Sequence, residues 1–119
     1  MKIATRLLGA CLISATLFFA ACNYVKPVMY IQVVNSSGHP MRNLELKYPT
    51  GTFGLPELRD NQTHRHMAPI GAPCKFSLAF EDQAGKKYTK DFDLGATCPL
   101  EIAFQIDSAM QVSERTVRQ

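Results

Sequence analysis

Leu100-Glu101-Ile102-Ala103-Phe104-Gln105-Ile106 is the stretch that most clearly decides the fold of this chain. Apolar side chains occupy every second position, and Glu101, Ala103 and Gln105 alternate with them. A period of two residues is what a strand with one buried face requires, because successive side chains point to opposite faces of a sheet. The stretch therefore predicts a β-strand with Phe104 in the core and the other three residues as its outward row.

Several further segments show strand patterns. They are a β-branched run at 28–35, alternating runs at 42–48, 74–80 and 86–94, and a short return strand at 110–112. The polar segment 81–85 ends in Gly85 and predicts a hairpin turn. Residues 36–40 predict a loop, because Ser, Gly and Pro favour turns. The polar residues 113–119 predict a flexible tail.

The segment 49–73 has no clear periodicity and holds four prolines and three glycines. Its pattern allows a short strand at 63–67 and a single helical turn at 56–60. Long irregular segments of compact domains are often functional. We therefore regard 49–73 as a candidate recognition segment.

Six to seven short strands separated by turn residues, with no helical periodicity of useful length, predict an all-β fold, a small antiparallel β-sandwich. The residues at 33–46 have the pattern of a strand, a Gly-Pro turn and an alternating strand, and those at 80–88 have the pattern of a hairpin. This order resembles the carboxypeptidase-regulatory or transthyretin-like sandwiches. The resemblance implies a binding or accessory module and transfers no catalytic residue.

The N-terminus has the organisation of an export signal. Lys2 and Arg6 precede an apolar stretch, and Ala20-Ala21 lead to Cys22. The apolar run 7–21 is shorter than the roughly 20 residues that span a bilayer. The arrangement resembles the lipobox of bacterial lipoproteins, although Phe19 stands where that family usually has Leu. The resemblance implies removal of residues 1–21 and acylation of Cys22, with ordinary secretion and an uncleaved anchor as the alternatives.

Cleavage at this point fixes the expected organisation of the mature chain. It leaves 119 − 21 = 98 residues, which suits one domain. We expect a lipidated tether at 22–27, a sandwich at 28–112 and the tail at 113–119. In the lipoproteins that this segment resembles, an Asp directly after the cysteine retains the protein at the inner membrane. Asn23 stands at that position here. The expected location is therefore the outer membrane, ahead of the inner membrane or the periplasm.

The charge of the mature chain excludes some partners. Without Lys2 and Arg6, 13 − 2 = 11 basic residues face 10 acidic ones, a net charge of +1. Such a balance predicts no nucleic-acid partner. The expected partners are the membrane, through the lipid on Cys22, and an envelope protein.

The remaining cysteines predict a disulfide. Cys11 leaves with the signal and Cys22 carries the lipid, so Cys74 and Cys98 are left to pair in an oxidising compartment. Strands two apart in one sheet lie about 9.5 Å from each other, whereas a disulfide needs about 4.4–6.8 Å between Cα atoms. The link 96–99 must therefore cross to the other sheet or fold over the end of the sandwich.

Side chains suited to chemistry are few. His64 and His66 share one face of a strand, and with His39 they give an alternative function in copper or zinc handling. Two ligands do not complete a metal site, so we expect no metal and no other cofactor. The chain has no G-x-S-x-G elbow, and its serines have no histidine at a telling spacing. The sequence therefore predicts that the protein is not an enzyme.

The favoured hypothesis is a non-catalytic interaction module at a membrane. Its recognition surface is predicted to be either an exposed sheet edge or the segment 49–73. The predicted binding residues are Arg59, His64 and His66, with Phe53, Leu55 and Leu58 as further contacts. The alternative for this segment is that it only covers a sheet edge and prevents association.

Overall fold

The computed structural model describes residues 27–118. The predicted signal at 1–21, the predicted lipid site Cys22 and most of the predicted tether lie outside this range. The described residues form eight strands, which are β1 (Val28–Asn35), β2 (Met41–Tyr48), β3 (Gly51–Leu58), β4 (Thr63–Pro69), β5 (Lys75–Glu81), β6 (Lys87–Asp93), β7 (Glu101–Ile106) and β8 (Val112–Arg118). None of the residues from 27 to 118 belongs to a helix with the length and hydropathy to cross a membrane.

The strands form two four-stranded sheets. Sheet A has the order β4-β1-β7-β8, and sheet B has the order β3-β2-β5-β6. All neighbouring strands are antiparallel except β1 and β7, which run parallel. The prediction of an all-β sandwich is confirmed, with eight strands instead of six or seven.

The core lies between the two sheets and is built from the alternating residues. Phe104 of β7 is fully buried, and its ring lies 5.1 Å from that of Phe76 and 5.0 Å from that of Phe92. Ile31 and Leu46 are likewise inaccessible to solvent. The inward positions predicted for Leu46, Phe76 and Phe104 are thus confirmed. Leu100 is the exception, because β7 begins after it at Glu101 and its side chain is 39% exposed. Ala103 points outward by register, but only 4% of its surface is exposed.

A β-bulge interrupts the alternation of β2. Asn43 has a φ of 51°, and the register between β2 and β5 shifts between Arg42 and Glu45. Asparagine tolerates this left-handed conformation better than most residues. Because the bulge adds one residue, Arg42 and Asn43 are both exposed while Met41 and Leu44 are both buried.

Most of the segment 49–73 forms two strands, and the helical turn predicted at 56–60 is wrong. Gly51–Leu58 forms β3, which pairs with β2 through Phe53 opposite Leu46 and Leu55 opposite Leu44. Pro56 is accommodated because β3 is an edge strand, where a proline need not donate to a ladder. The strand predicted at 63–67 is confirmed and extends to Pro69.

The tail predicted at 113–119 is a strand over most of its length. Val112–Arg118 forms β8, which pairs antiparallel with β7. Apart from Val112, all of its residues are exposed. Polar composition here reflects an exposed edge strand held by backbone hydrogen bonds, and the sandwich therefore continues past residue 112.

Two turns at one end of the sandwich have the same construction. Asp82 Oδ1 accepts hydrogen bonds from the N–H groups of Ala84 and Lys86, at 2.9 Å each. Asp107 Oδ1 accepts the equivalent bonds from Ala109 and Gln111, also at 2.9 Å. These turns, together with the loops 36–40 and 59–62, form what we call the distal end.

The opposite end carries the disulfide and holds Pro27, the last residue of the predicted tether, at the start of β1. Cys74 and Cys98 are bonded, with 5.1 Å between their Cα atoms. Residues 94–100 connect β6 of sheet B to β7 of sheet A, so the link crosses between the sheets as predicted. The Ile70 N–H donates to the Pro27 carbonyl at this same end, which we call the tether end.

Candidate functional site

Four rings cluster on one side of the sandwich, between edge strands β3 and β4. They belong to Tyr48, Phe53, His64 and His66, and we call them the ring cluster. β3 is one of the two edge strands of sheet B and β4 is one of those of sheet A, and the two strands contact each other across the sandwich. We call this the open side. Its two strands both come from the segment singled out in the sequence.

The alternation of β4 explains why both histidines reach the cluster. Ala68 is buried on the inward face, and His66 and His64 precede it by two and four residues. The His66 ring lies 4.4 Å from that of Phe53, and the His64 ring lies 5.2 Å from it. His66 Nε2 and the Tyr48 hydroxyl are hydrogen-bonded at 3.2 Å. All four rings are half-buried.

Electrostatics favour neutral His64 in the cluster. Burial lowers the pKa of His64, and a positive charge on His66, whose ring is 6.4 Å away, lowers that pKa further. Both causes disfavour the charged form. At neutral pH His64 therefore acts as a half-buried aromatic ring with one donor and one acceptor.

The structure brings together only part of the predicted binding set. His64 and His66 share a face, and Phe53 joins them. Arg59 lies in the turn after β3 at the distal end, where its backbone N–H donates to Gln62 Oε1 at 2.8 Å. Leu58 is 1% exposed and belongs to the core, so it offers no contact surface.

The described part of the chain has no group of three or more His, Cys, Asp or Glu side chains that could hold a metal ion. His39 lies in the loop 36–40 at the distal end and does not join His64 and His66. Copper or zinc handling by these three histidines would thus need ligands beyond those that residues 27–118 bring together.

A buried asparagine, Asn35, holds together the two loops at the distal end of the open side. Asn35 Nδ2 donates to the carbonyls of His39 and Leu58, at 2.8 and 3.0 Å. Its Oδ1 accepts from the N–H and the hydroxyl of Ser37, at 3.0 and 2.7 Å. The Asn61 N–H donates to the Asn35 carbonyl at 2.7 Å. Asn35 thereby ties β1, the loop 36–40 and the turn 59–62 together.

The free backbone of β4 is the feature that the sequence did not reveal. The Asn35 N–H donates to the Gln62 carbonyl, and the Ile70 N–H donates to the Pro27 carbonyl. In an antiparallel ladder, hydrogen-bonded pairs alternate with non-bonded pairs. The even-numbered residues of β4 therefore bond to β1, whereas Arg65 and Met67 direct their N–H and C=O groups away from the sheet.

The four edge strands differ in their charge. β3 and β4 carry one charged residue each, Glu57 and Arg65. β6 carries four, Lys87, Lys90, Asp91 and Asp93, and β8 carries three, Glu114, Arg115 and Arg118. Charged residues on an edge oppose pairing with another chain. The open side is therefore the less protected of the two sides.

Comparisons with known proteins show the fold alone. No known family and no curated protein matches the chain. The chain is similar to a solved structure, the NMR structure of a protein from Eubacterium rectale, with a TM-score of 0.56 and 15% sequence identity. The match covers 79% of this chain and 92% of that one.

Proposed function

We propose that the protein is a membrane-anchored envelope lipoprotein that acts as a non-catalytic interaction module through its open side. One observation carries this proposal. The segment 51–69 supplies both weakly charged edge strands, and these lie on the same side of the sandwich with the ring cluster between them. The expected partner is an envelope protein.

Two known modes of recognition suit this surface. An extended segment of a partner adds to an exposed sheet edge through backbone hydrogen bonds, and pockets for its side chains give specificity. The outward N–H and C=O groups of Arg65 and Met67 provide the hydrogen bonds. The half-buried rings of Phe53 and His66 provide an apolar surface with polar atoms beside it.

Strand β3 is suited to a smaller part of this contact. Pro56 has no N–H to donate, and Glu57 follows it, so the distal half of β3 is a poor template for pairing. The half from Gly51 to Leu55 carries no charge. We therefore assign the backbone contact to β4 and a side-chain contact to the first half of β3.

The anchor is the second component of the proposal. Acylation of Cys22 at the lipobox-like segment would hold the module at the outer membrane. The bonded Cys74 and Cys98 are typical of proteins in an oxidising compartment and support an envelope location.

Site-specific crosslinking in the envelope tests the recognition surface. A photoreactive amino acid replaces Thr52 of β3 or Thr63 of β4. The matched controls carry it in place of Thr89 of β6 or Ser113 of β8, and all four positions are exposed. We expect crosslinked partners from positions 52 and 63 and markedly fewer from 89 and 113. Equal recovery from both sides, or recovery from the β6 and β8 positions alone, would exclude the open side.

A further inference from the structure

The exposed large apolar side chains of residues 27–118 gather at one place. They are Tyr30, Met67, Leu100 and Val117, exposed by 42, 59, 39 and 43%. All four lie in or beside sheet A at the tether end. Tyr30 is opposite Met67 in β4 and Glu101 in β7, and Glu101 is opposite Arg118 in β8. Leu100 precedes Glu101 in the chain, and Val117 precedes Arg118.

This group has arginines beside it. Arg65 precedes Met67 by one outward position on β4, and Arg118 ends β8. Glu101 is the acidic neighbour, and its carboxylate accepts from Gln32 at 2.7 Å and lies 3.8 Å from the Arg118 guanidinium. We call the set the rim: Tyr30, Arg65, Met67, Leu100, Val117 and Arg118.

The outer face of sheet B lacks such a group. Its outward residues include Lys47, Lys75, Asp91 and Asp93, and no large apolar side chain is exposed on it. Among residues 27–118, the large apolar side chains that are exposed thus all lie at the tether end. An exposed apolar group bordered by charge marks an interaction site.

The length of the tether decides which partner fits the rim. Five residue steps separate Cys22 from Pro27, and they span at most about 18 Å. Pro27 accepts the hydrogen bond from Ile70, three residues after Met67. A lipid on Cys22 therefore keeps the rim within a short distance of the bilayer in every orientation of the domain.

We propose that the rim lies against the bilayer that holds the Cys22 lipid, and that it binds anionic phospholipid headgroups. This rests on the proposed acylation of Cys22. Tyrosine and apolar side chains favour the interfacial region of a membrane, and arginines are attracted to anionic lipids. The contact would hold the sandwich with its distal end away from the bilayer and leave the open side accessible from the side.

Two tryptophan reporters test this orientation. The chain has no tryptophan, so Met67→Trp places one reporter at the rim and Ala109→Trp a matched one in the distal turn, about 23 Å away along the strands. The full protein is produced with its own signal, purified, and reconstituted in vesicles that contain phosphatidylglycerol and lipids with brominated acyl chains. We expect quenching and a blue shift for the Met67→Trp reporter and neither for Ala109→Trp.

A charge variant tests the role of anionic lipid. Each arginine near an anionic surface contributes roughly fivefold to the ratio of docked to undocked molecules. Replacing both Arg65 and Arg118 by Gln should therefore lower this ratio about 30-fold. Replacing Lys47 and Lys75 by Gln on sheet B is the matched control and should leave it unchanged. Equal quenching of both reporters, or equal effects of the two charge variants, would overturn the proposal.

Intact mass separates this inference from the anchor. An acylated protein whose rim reporter is not quenched would overturn the rim and keep the anchor. A protein without the lipid would overturn the anchor, and vesicles added to that protein would then test the rim on its own with the same two reporters. Melting curves of each variant confirm that it is folded before quenching is measured.

Discussion

Replacing Asn35 by Ala should destabilise the protein far more than the loss of one polar side chain would suggest. Asn35 is fully buried and makes four side-chain hydrogen bonds to the loop 36–40 and to Leu58. Its removal leaves the Leu58 carbonyl and the Ser37 N–H without these partners. Each unsatisfied buried group costs roughly 1–3 kcal/mol, so for these two groups we expect a loss of about 2–6 kcal/mol.

An aspartate at this position separates hydrogen bonding from packing. Asn35→Asp keeps the shape and the two bonds from Ser37, but it loses both donations and brings a negative charge to the carbonyls of His39 and Leu58. At neutral pH we expect it to be at least as destabilising as alanine. Total stability of a small domain is roughly 5–15 kcal/mol, so either variant is close to unfolding.

Urea denaturation followed by circular dichroism measures these changes, with the disulfide intact and with the slope m checked for constancy. Gln105→Ala is the matched control, because this exposed amide makes one hydrogen bond, to Ser36 Oγ at 3.1 Å. It should change stability by less than about 0.5 kcal/mol. A loss under about 1 kcal/mol for Asn35→Ala, or an aspartate variant as stable as wild type, would refute the reasoning.

The other predictions concern the cysteines and the ring cluster. Cys22→Ser should abolish incorporation of labelled palmitate, and the mature wild-type chain should begin at residue 22; labelled variant protein would contradict this. Cys74 and Cys98 should resist alkylation without reductant, and their reduction should cost roughly 3.5 kcal/mol for a loop of about 25 residues, whereas full alkylation of the native protein would rule the bond out. The pKa of His64 is lowered in the folded protein from its ordinary value of 6.5. Between these two pKa values, His64 of the unfolded chain binds a proton that His64 of the folded protein does not bind. The free energy of unfolding should therefore fall as the pH drops below 6.5 and level off below the folded pKa. His64→Gln should weaken this pH dependence, and an unchanged slope, with His66 kept, would refute the assignment.

Side-chain alternation explains which strands were predictable. It identified β2, β5, β6 and β7 because each has one face toward the core, whereas β1 was identified as an apolar, β-branched run. It missed β3, since Gly51, Gly54 and Pro56 interrupt the apolar pattern of an edge strand. It missed β8 because only Val112 of that strand is buried.

Within the candidate site, only the arrangement of residues on the same strand could be predicted from the sequence. Spacing placed His64 and His66 on one face of a strand. Their neighbours Tyr48 and Phe53 come from the other sheet, and only the strand order brings that sheet's edge beside β4. The free N–H and C=O groups of the β4 edge depend on pairing with β1, which no side-chain pattern specifies.

The most direct test of the open side is a proline on its free edge. Met67→Pro removes an outward N–H of β4 and leaves the hydrogen bonds to β1 intact, because a proline is tolerated where its nitrogen faces away from the sheet. Met67→Ala removes the same side chain but keeps the N–H. Glu114→Pro is the matched change on β8. The Asp107 N–H donates to the Gln111 carbonyl and Ile106 is opposite Val112, so the Glu114 N–H, opposite Phe104, points away from β7.

Partner recovery after envelope crosslinking is measured for the three variants, each with a melting curve. We predict that Met67→Pro folds and loses at least tenfold in recovery, while Met67→Ala and Glu114→Pro recover partners within about threefold of wild type. A folded Met67→Pro protein that recovers the same partners as wild type would contradict recognition through the β4 edge.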